Sequence, residues 1–351
     1  MKMMKAIRLY GPRDLRLEEV PCPASPERGE VLVRVRSVGI CGSDLHTFRH
    51  ARIGDTVCTT PFIMGHEFSG VVQVVGEGPT GGDGLLVHPG DRVAVDPAQP
   101  CGVCELCKKG HSNLCPHLRF LGHYPHDGSL CEWIRVPARN CFRVPDLIDD
   151  EEAALLEPLG VALHSVSLPR VKPGDSAAVI GAGPIGLCVL QVLKGVGIDP
   201  VFVMEKLPWR SKLAGRLGAS VVSGTDAQGV QEVLDRTAGR GVDVAFEAAW
   251  SDNSVQHCAE IVRPGGKLMV IGISDDDKLY LKHSTARRKG ITILMVRRMK
   301  HTYPDAIDLV LRRIVDLKTL ITHRFRLEQT PDAFALNAAY DDGIAKAIIQ
   351  V

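Results

Sequence analysis

A glycine-rich turn between two apolar segments constrains this chain more than any other feature. Val179-Ile-Gly181-Ala-Gly183-Pro184-Ile185-Gly186 sets Gly-x-Gly-x-x-Gly directly after a short apolar run and at the head of an apolar helix. The first glycine permits the tight turn, and the second lets a pyrophosphate approach the backbone. The third lets helix and strand pack closely, with the helix N-terminus facing the phosphates. Alone the motif is weak, because glycine turns between strand and helix are common. Here a second apolar run, Val201-Phe-Val-Met204, ends in Glu205 at the spacing expected of an acid that holds ribose hydroxyls. The plain alternative for Glu205 is a solvated charge at a strand end. Glu205 would repel a 2′-phosphate, so NAD is expected over NADP, with Lys206 and Arg210 pulling the other way.

The same rhythm continues beyond the turn. From about residue 175, apolar strands at 177–180, 201–204, 242–246 and 267–271 alternate with helix-length segments near 184–196, 208–217, 228–238 and 253–262. Such alternation predicts βαβ units and a doubly wound parallel sheet covered on both faces. Residues 5 to about 155 read differently. Val31, Val33 and Val35 alternate with Leu32, Arg34 and Arg36, the period of a half-buried strand, and the short runs Val71–Val75 and Arg92–Val95 are punctuated by Gly, Pro and Asp. After about 297 a helix with Pro304 in its first turn is expected over 304–316, then a closing strand Lys346–Val351. Thr80-Gly-Gly-Asp-Gly84 reads as a flexible surface loop. At 351 residues, 45% of them hydrophobic, the chain can fill two cores. The uncharged stretch Ser176–Leu193 approaches the length of a membrane span, but its glycines and Pro184 make strand, turn and helix the better reading.

Four cysteines, Cys101, Cys104, Cys107 and Cys115, stand at intervals that can wrap one ion as a closed tetrathiolate, the arrangement zinc favours in structural sites. Clustered thiols or disulfides are the bland alternative, and no strand-to-helix turn supports a redox role. The other cysteines are scattered, as suits free thiols in a reducing compartment. Met-Lys-Met-Met-Lys-Ala-Ile-Arg at the N-terminus lacks the apolar core of a signal peptide, so a cytoplasmic location is expected. Aromatic content of 5% and a formal charge of +1 argue against nucleic-acid partners.

A second set of metal-ligand types lies earlier. Gly39-Ile-Cys41-Gly-Ser43-Asp-Leu-His46 precedes Gly65-His66-Glu67, offering thiolate, imidazole and carboxylate, the donors of a catalytic zinc that keeps one position open. Each residue singly has an ordinary reading as buried thiol, core histidine or ion-paired glutamate. Together with the tetracysteine loop and the dinucleotide motif, they resemble the zinc-dependent medium-chain alcohol dehydrogenases, closest to the sorbitol (polyol) and threonine dehydrogenase branches, over essentially the whole length.

That resemblance implies a GroES-like catalytic domain from residues 1–158 and 298–351, with a Rossmann domain, 159–297, inserted between. It implies two zinc ions per chain and NAD. Cys41, His66 and Glu67 match ligands of the catalytic zinc. Glu157, in Leu-Glu157-Pro-Leu-Gly, matches a second acidic position that binds the metal directly or through water, and either glutamate could be the ligand. Zinc would lower the pKa of a bound alcohol, and Ser43 and His46 match a relay that carries the hydroxyl proton away. Arg210 matches a residue beside the adenosine ribose, and Gly272 and Ile273 match backbone beside the nicotinamide. Arg298 stands where the sorbitol branch has a substrate-holding arginine, while Met299 replaces that branch's usual tyrosine. The implied activity is oxidation of a secondary hydroxyl of a polyol-like small molecule. The rivals are L-threonine 3-dehydrogenase, a sugar-acid dehydrogenase and a non-catalytic dinucleotide-binding protein. A homotetramer and no membrane partner complete the expectation.

Overall fold

The two rhythms of the sequence fold as two units. The computed structural model describes residues 2–249, 251 and 253–351. One unit comprises Met1–Glu157, Tyr303–Leu311 and Leu317–Val351, and the other Pro158–Thr302 with Arg312–Asp316. Residues 298–302 and 312–316, expected with the chain ends, therefore group with the second unit.

The first unit is built on a seven-stranded sheet running Cys141–Arg143, Arg92–Val95, Glu67–Val75, Glu30–Gly39, Lys346–Gln350 and Ile321–Arg326, with Trp133–Pro137 also paired to Glu30–Gly39. Alternation in Glu30–Gly39 sends Val31, Val33 and Val35 into the core, where they meet Phe68, Val72, Val93 and Ile349. The C-terminal strand lies beside this N-terminal one, Ile348 opposite Gly39, and on its other side Gly39 stands opposite Glu67. Both chain ends thus contribute to one sheet. The segment 80–84 is not the loose loop expected. Gly82 donates to the Cys141 carbonyl at 2.8 Å, Gly81 to that of Leu85 at 2.7 Å, and Asp83 pairs with Arg143 at 3.0 Å. Gly82 also packs so tightly on the Phe142 ring that no side chain fits.

The second unit is a six-stranded parallel sheet in the order Ser220–Ser223, Val201–Glu205, Ala177–Ile180, Val242–Glu247, Val262–Val270, Thr292–Met295. This doubly wound order reverses between Ala177–Ile180 and Val242–Glu247, and ligands of such sheets bind at the carboxyl ends of strands at that reversal. The four central strands are the buried apolar runs of the sequence. The two edge strands and the helix His283–Lys289 are mostly exposed or only partly buried, even though Thr292–Met295 carries the apolar Ile293, Leu294 and Met295. The helix expected over 304–316 runs from Tyr303 to Leu311. Arg313 takes a positive φ of 57°, and the Asp316 backbone is held by the Gln191 side chain, donating to Oε1 at 2.7 Å and accepting from Nε2 at 3.3 Å.

Candidate active site

The glycine turn sits at the crest of the parallel sheet. Gly181 has a φ of +100°, a conformation that only glycine adopts cheaply, and a side chain there would meet Ala248 and Ala249 within 3 Å. Gly183 caps the helix Pro184–Gly195 with open space before it, Arg210 Nη1 being the nearest group. Gly186 presses on the Gly181 carbonyl, the close helix–strand approach expected of the third glycine. Glu205 is buried and ties the turn together, accepting from the Ala182 N–H at 2.7 Å and the Leu207 N–H at 2.8 Å. Arg210 is buried in the helix Pro208–Arg216. Glu247 bridges the next two strand ends, accepting from Ala249 N–H at 2.9 Å and Gly272 N–H at 3.2 Å, while Ile273 is half exposed.

In the first unit, Cys101, Cys104, Cys107 and Cys115 converge, with their sulfurs all within 4.8 Å of one another. Cys115 Sγ lies 3.5 Å from Cys101 Sγ and 3.9 Å from Cys104 Sγ. A tetrahedron of Zn–S bonds of about 2.3 Å sets sulfurs about 3.8 Å apart, so the cluster fits zinc and is far too open for a disulfide. None of the eleven cysteines forms a disulfide. The crowded thiols titrate unequally: N–H groups of Val103 and Cys104 bring Cys101 down to about 6, while burial and the bond to Cys104 push Cys107 up to about 12.

Cys41, His66 and Glu67 form a second group with donor atoms within 4.8 Å of one another. Cys41 is the N-cap of the helix Gly42–His50, which places its sulfur beside helical N–H groups. His66 and Glu67 come from the entry to the strand Glu67–Val75. Asp44, whose role the motif did not reveal, links the pieces. Its Oδ2 accepts from the Cys41 N–H at 3.0 Å, and its Oδ1 lies 3.2 Å from His66 Nδ1. Burial pushes His66 down, but the negative neighbours Asp44 and Cys41 outweigh it and hold the imidazole well above its ordinary value. A soft thiolate, an oriented imidazole and one carboxylate suit zinc with an open coordination position.

Glu157 is absent from that close group, yet the same charges surround it. Burial chiefly pushes its carboxyl up to about 8, His66 and Lys346 opposing this and Glu67 and Asp96 adding to it. Ser43 is buried, its Oγ 3.4 Å from His123 Nε2. His46 Nδ1 lies 2.9 Å from the Arg52 carbonyl, which can only accept, so Nδ1 is the donor of that bond. His123, whose ring centre is 5.0 Å from that of His66, stood in no sequence motif. Lys346 is the other residue the sequence reading passed over. It is 1% exposed and pairs with Glu67. Arg298 has a positive φ of 56°, and Met299 is buried against Gly160.

A doubly wound dinucleotide sheet, a tetrathiolate lobe and an open Cys-His-Glu group are together the make-up of a zinc-containing dehydrogenase. Residues 27–146 match the alcohol dehydrogenase GroES-like domain, and residues 184–312 the zinc-binding dehydrogenase family. The chain is 36% identical to sorbitol dehydrogenase of Bacillus subtilis (strain 168), covering 99% of this chain and 97% of the relative. It is 37% identical to human sorbitol dehydrogenase over 93% of this chain and 90% of that one. The crystal structure of 2R,3R-butanediol dehydrogenase from Bacillus subtilis superposes with a TM-score of 0.85 at 30% identity, covering 99% of both chains. The chain belongs to the zinc-dependent medium-chain alcohol dehydrogenase family, close to its sorbitol dehydrogenases. Among the described residues, no helix is long and apolar enough to cross a membrane.

Proposed function

We propose that this chain is a zinc- and NAD-dependent dehydrogenase that oxidises a secondary hydroxyl of a polyol or sugar alcohol to a ketone. The observation that carries this reading is the close group of half-buried Cys41 with buried His66 and Glu67, three donors that leave a fourth position for substrate. Zinc held there supplies Lewis-acid chemistry toward a hydroxyl, and NAD supplies the hydride acceptor. Asp44 keeps the His66 ring in place through Nδ1, and the thiolate and carboxylate offset the metal's charge. The hydroxyl proton would pass to Ser43 Oγ as Ser43 releases its own toward His46, one turn further along the helix Gly42–His50. Cys101, Cys104, Cys107 and Cys115 hold a second, structural zinc.

Glu205, at the end of the strand Val201–Glu205, is the proposed partner of the ribose hydroxyls of NAD, and its carboxylate would repel a 2′-phosphate. Tighter binding of NADPH than of NADH in a titration would overturn that role. Glu157 and Arg298 are the proposed polyol-binding groups, since a carboxyl and a guanidinium can each hydrogen-bond hydroxyls that a small apolar alcohol lacks. The relatives named for sorbitol and 2R,3R-butanediol support this class. Comparing kcat/KM for sugar alcohols, vicinal diols, L-threonine and a sugar acid in wild type and Arg298→Ala tests it. The expected result is a polyol preference with a modest loss in the variant. A far larger loss for L-threonine or the sugar acid would show the arginine receiving a carboxylate instead.

The strand Thr292–Met295 leaves one edge of the parallel sheet unpaired, with Ile293 and Met295 exposed. A second copy pairing along that edge would cover it, in keeping with a homotetramer in the cytoplasm. Sedimentation as a 38.1 kDa particle would contradict the oligomer.

A further inference from the structure

Lys346 is the most deeply buried cation of the first unit, 1% exposed and on the C-terminal strand. Its ammonium donates to the Ile40 carbonyl at 2.8 Å and to Glu67 Oε2, and both members of the ion pair are 1% exposed. Taking two charges out of water costs more than their attraction returns unless the geometry is close and further hydrogen bonds satisfy them, as the Ile40 carbonyl does for the ammonium. Three adjacent strands make the contact possible. Glu67 stands opposite Gly39 on one side, and Ile348, two residues beyond Lys346, stands opposite Gly39 on the other. Because Gly39 has no side chain, the glutamate and lysine can meet across its strand. A Cβ on Gly39 would lie 3.1 Å from Lys346 Cε, 3.2 Å from Leu155 Cδ2 and closer still to Glu67 Oε2.

We propose that Lys346 is a positioning residue of the catalytic metal centre, holding Glu67 by one carboxylate oxygen across the gap that Gly39 provides. Oε2 is committed to the ammonium, so Glu67 offers the metal only Oε1. It then binds through a single oxygen, and the position needed by substrate stays open. The same ammonium keeps the buried carboxylate charge-paired whenever the metal dissociates. This inference rests on the reading of Cys41, His66 and Glu67 as a zinc site. It deepens that reading by giving the C-terminal strand a function in the centre.

The test measures zinc content, the rate of zinc release to a chelating dye, and thermal unfolding with and without zinc. It compares wild type, Lys346→Met and Lys346→Arg, with Cys41→Ser identifying the phase that belongs to this site. In Lys346→Met both oxygens of Glu67 turn to the metal and a neighbouring positive charge is gone. Release from the Cys41 phase slows by at least about tenfold. Zinc raises the melting temperature by more than in wild type, because the zinc-free variant holds an unpaired carboxylate. Turnover falls in kcat more than in KM. Lys346→Arg restores a donor to Oε2 and recovers much of the wild-type release rate. Release from Lys346→Met as fast as or faster than from wild type, with two zinc ions bound by wild type, overturns the proposal. A wild type holding one zinc that Cys104→Ser removes and Cys41→Ser does not would instead overturn the metal-site reading beneath it. Gly39→Ala provides an independent check should Lys346→Met fail to fold. Its methyl displaces Glu67, and the Cys41-phase zinc is released several-fold faster; an unchanged rate counts against the proposal.

Discussion

Three glycines of one turn should fail for three different reasons when each is replaced by alanine. At Gly181 the backbone φ is +100°, and a Cβ would lie 2.8 Å from Ala249 Cβ and 2.9 Å from the Ala248 carbonyl. Left-handed strain of about 1–3 kcal/mol adds to overpacking of about 1–3 kcal/mol, for a total near 4 kcal/mol. At Gly186 the φ is ordinary, but a Cβ would lie 3.0 Å from the Gly181 carbonyl carbon and closer to its oxygen. Overpacking of about 3 kcal/mol is partly offset by about 1 kcal/mol of helix propensity, leaving about 2 kcal/mol. Gly183 has φ −70° and ψ 178°, and its Cβ would meet only Arg210 Nη1, at 3.6 Å. A weaker cap of about 0.5 kcal/mol is offset by the smaller entropy of the unfolded chain, so stability is unchanged. The methyl would nevertheless occupy the space a pyrophosphate needs. Thermal unfolding and NADH titration read the two effects separately. Gly181→Ala and Gly186→Ala should lower the melting temperature of the second unit, Gly186→Ala by about 4–8 °C at about 2–4 °C per kcal/mol. Gly183→Ala should melt like wild type while binding NADH more than about tenfold more weakly. The reasoning is refuted if Gly183→Ala binds NADH normally, or if it melts as low as Gly186→Ala.

Other perturbations separate the parts. Cys104→Ser should remove one of two zinc ions by metal analysis and leave the other, because the two donor groups share no residue. Asp243 is buried between Arg240, Arg263 and Ser176; burial pushes its carboxyl up, but these partners overcome that and hold it well below the usual carboxylate range. The stability this contributes is present above the unfolded value near pH 4 and is lost as pH falls below it. Asp243→Asn should therefore cost about 1–3 kcal/mol at pH 7 in denaturant melts, with the difference from wild type shrinking toward pH 3. Ser43→Ala and His46→Ala should each lower kcat by about 10²-fold or more while leaving zinc content and NADH affinity intact.

How much was legible in the sequence follows burial and spacing. Central parallel strands buried on both faces read as apolar runs, so Ala177–Ile180 and Val242–Glu247 were recognised nearly to the residue. Of the two edges, Ser220–Ser223 offers only Val221 and Val222 between polar residues and gives little signal, whereas Thr292–Met295 is apolar yet exposed, so its composition does not tell an edge from a buried strand. Ligand types at short spacing, such as Cys101 to Cys115 and His66-Glu67, carry their meaning locally. Partners that arrive from distant strands do not. Lys346 lies 279 residues from Glu67, and the only hint was a lysine heading an apolar strand. Asp44 was visible in the Gly-Ser-Asp run, but its contact with His66 depends on the fold. The segment 80–84 shows the limit of composition, since its glycines admit the Phe142 ring instead of loosening the chain.

The most direct measurement follows NADH appearance when the purified, zinc-loaded chain is given NAD and a sugar alcohol. It compares wild type with Cys41→Ser and with protein stripped of zinc and then reloaded. Wild type should reduce NAD with a polyol far more efficiently than with ethanol, Cys41→Ser should bind NADH yet produce none, and reloading zinc should restore the stripped enzyme. A zinc-loaded wild type that reduces no NAD with any polyol, or a Cys41→Ser variant as active as wild type, would contradict the account.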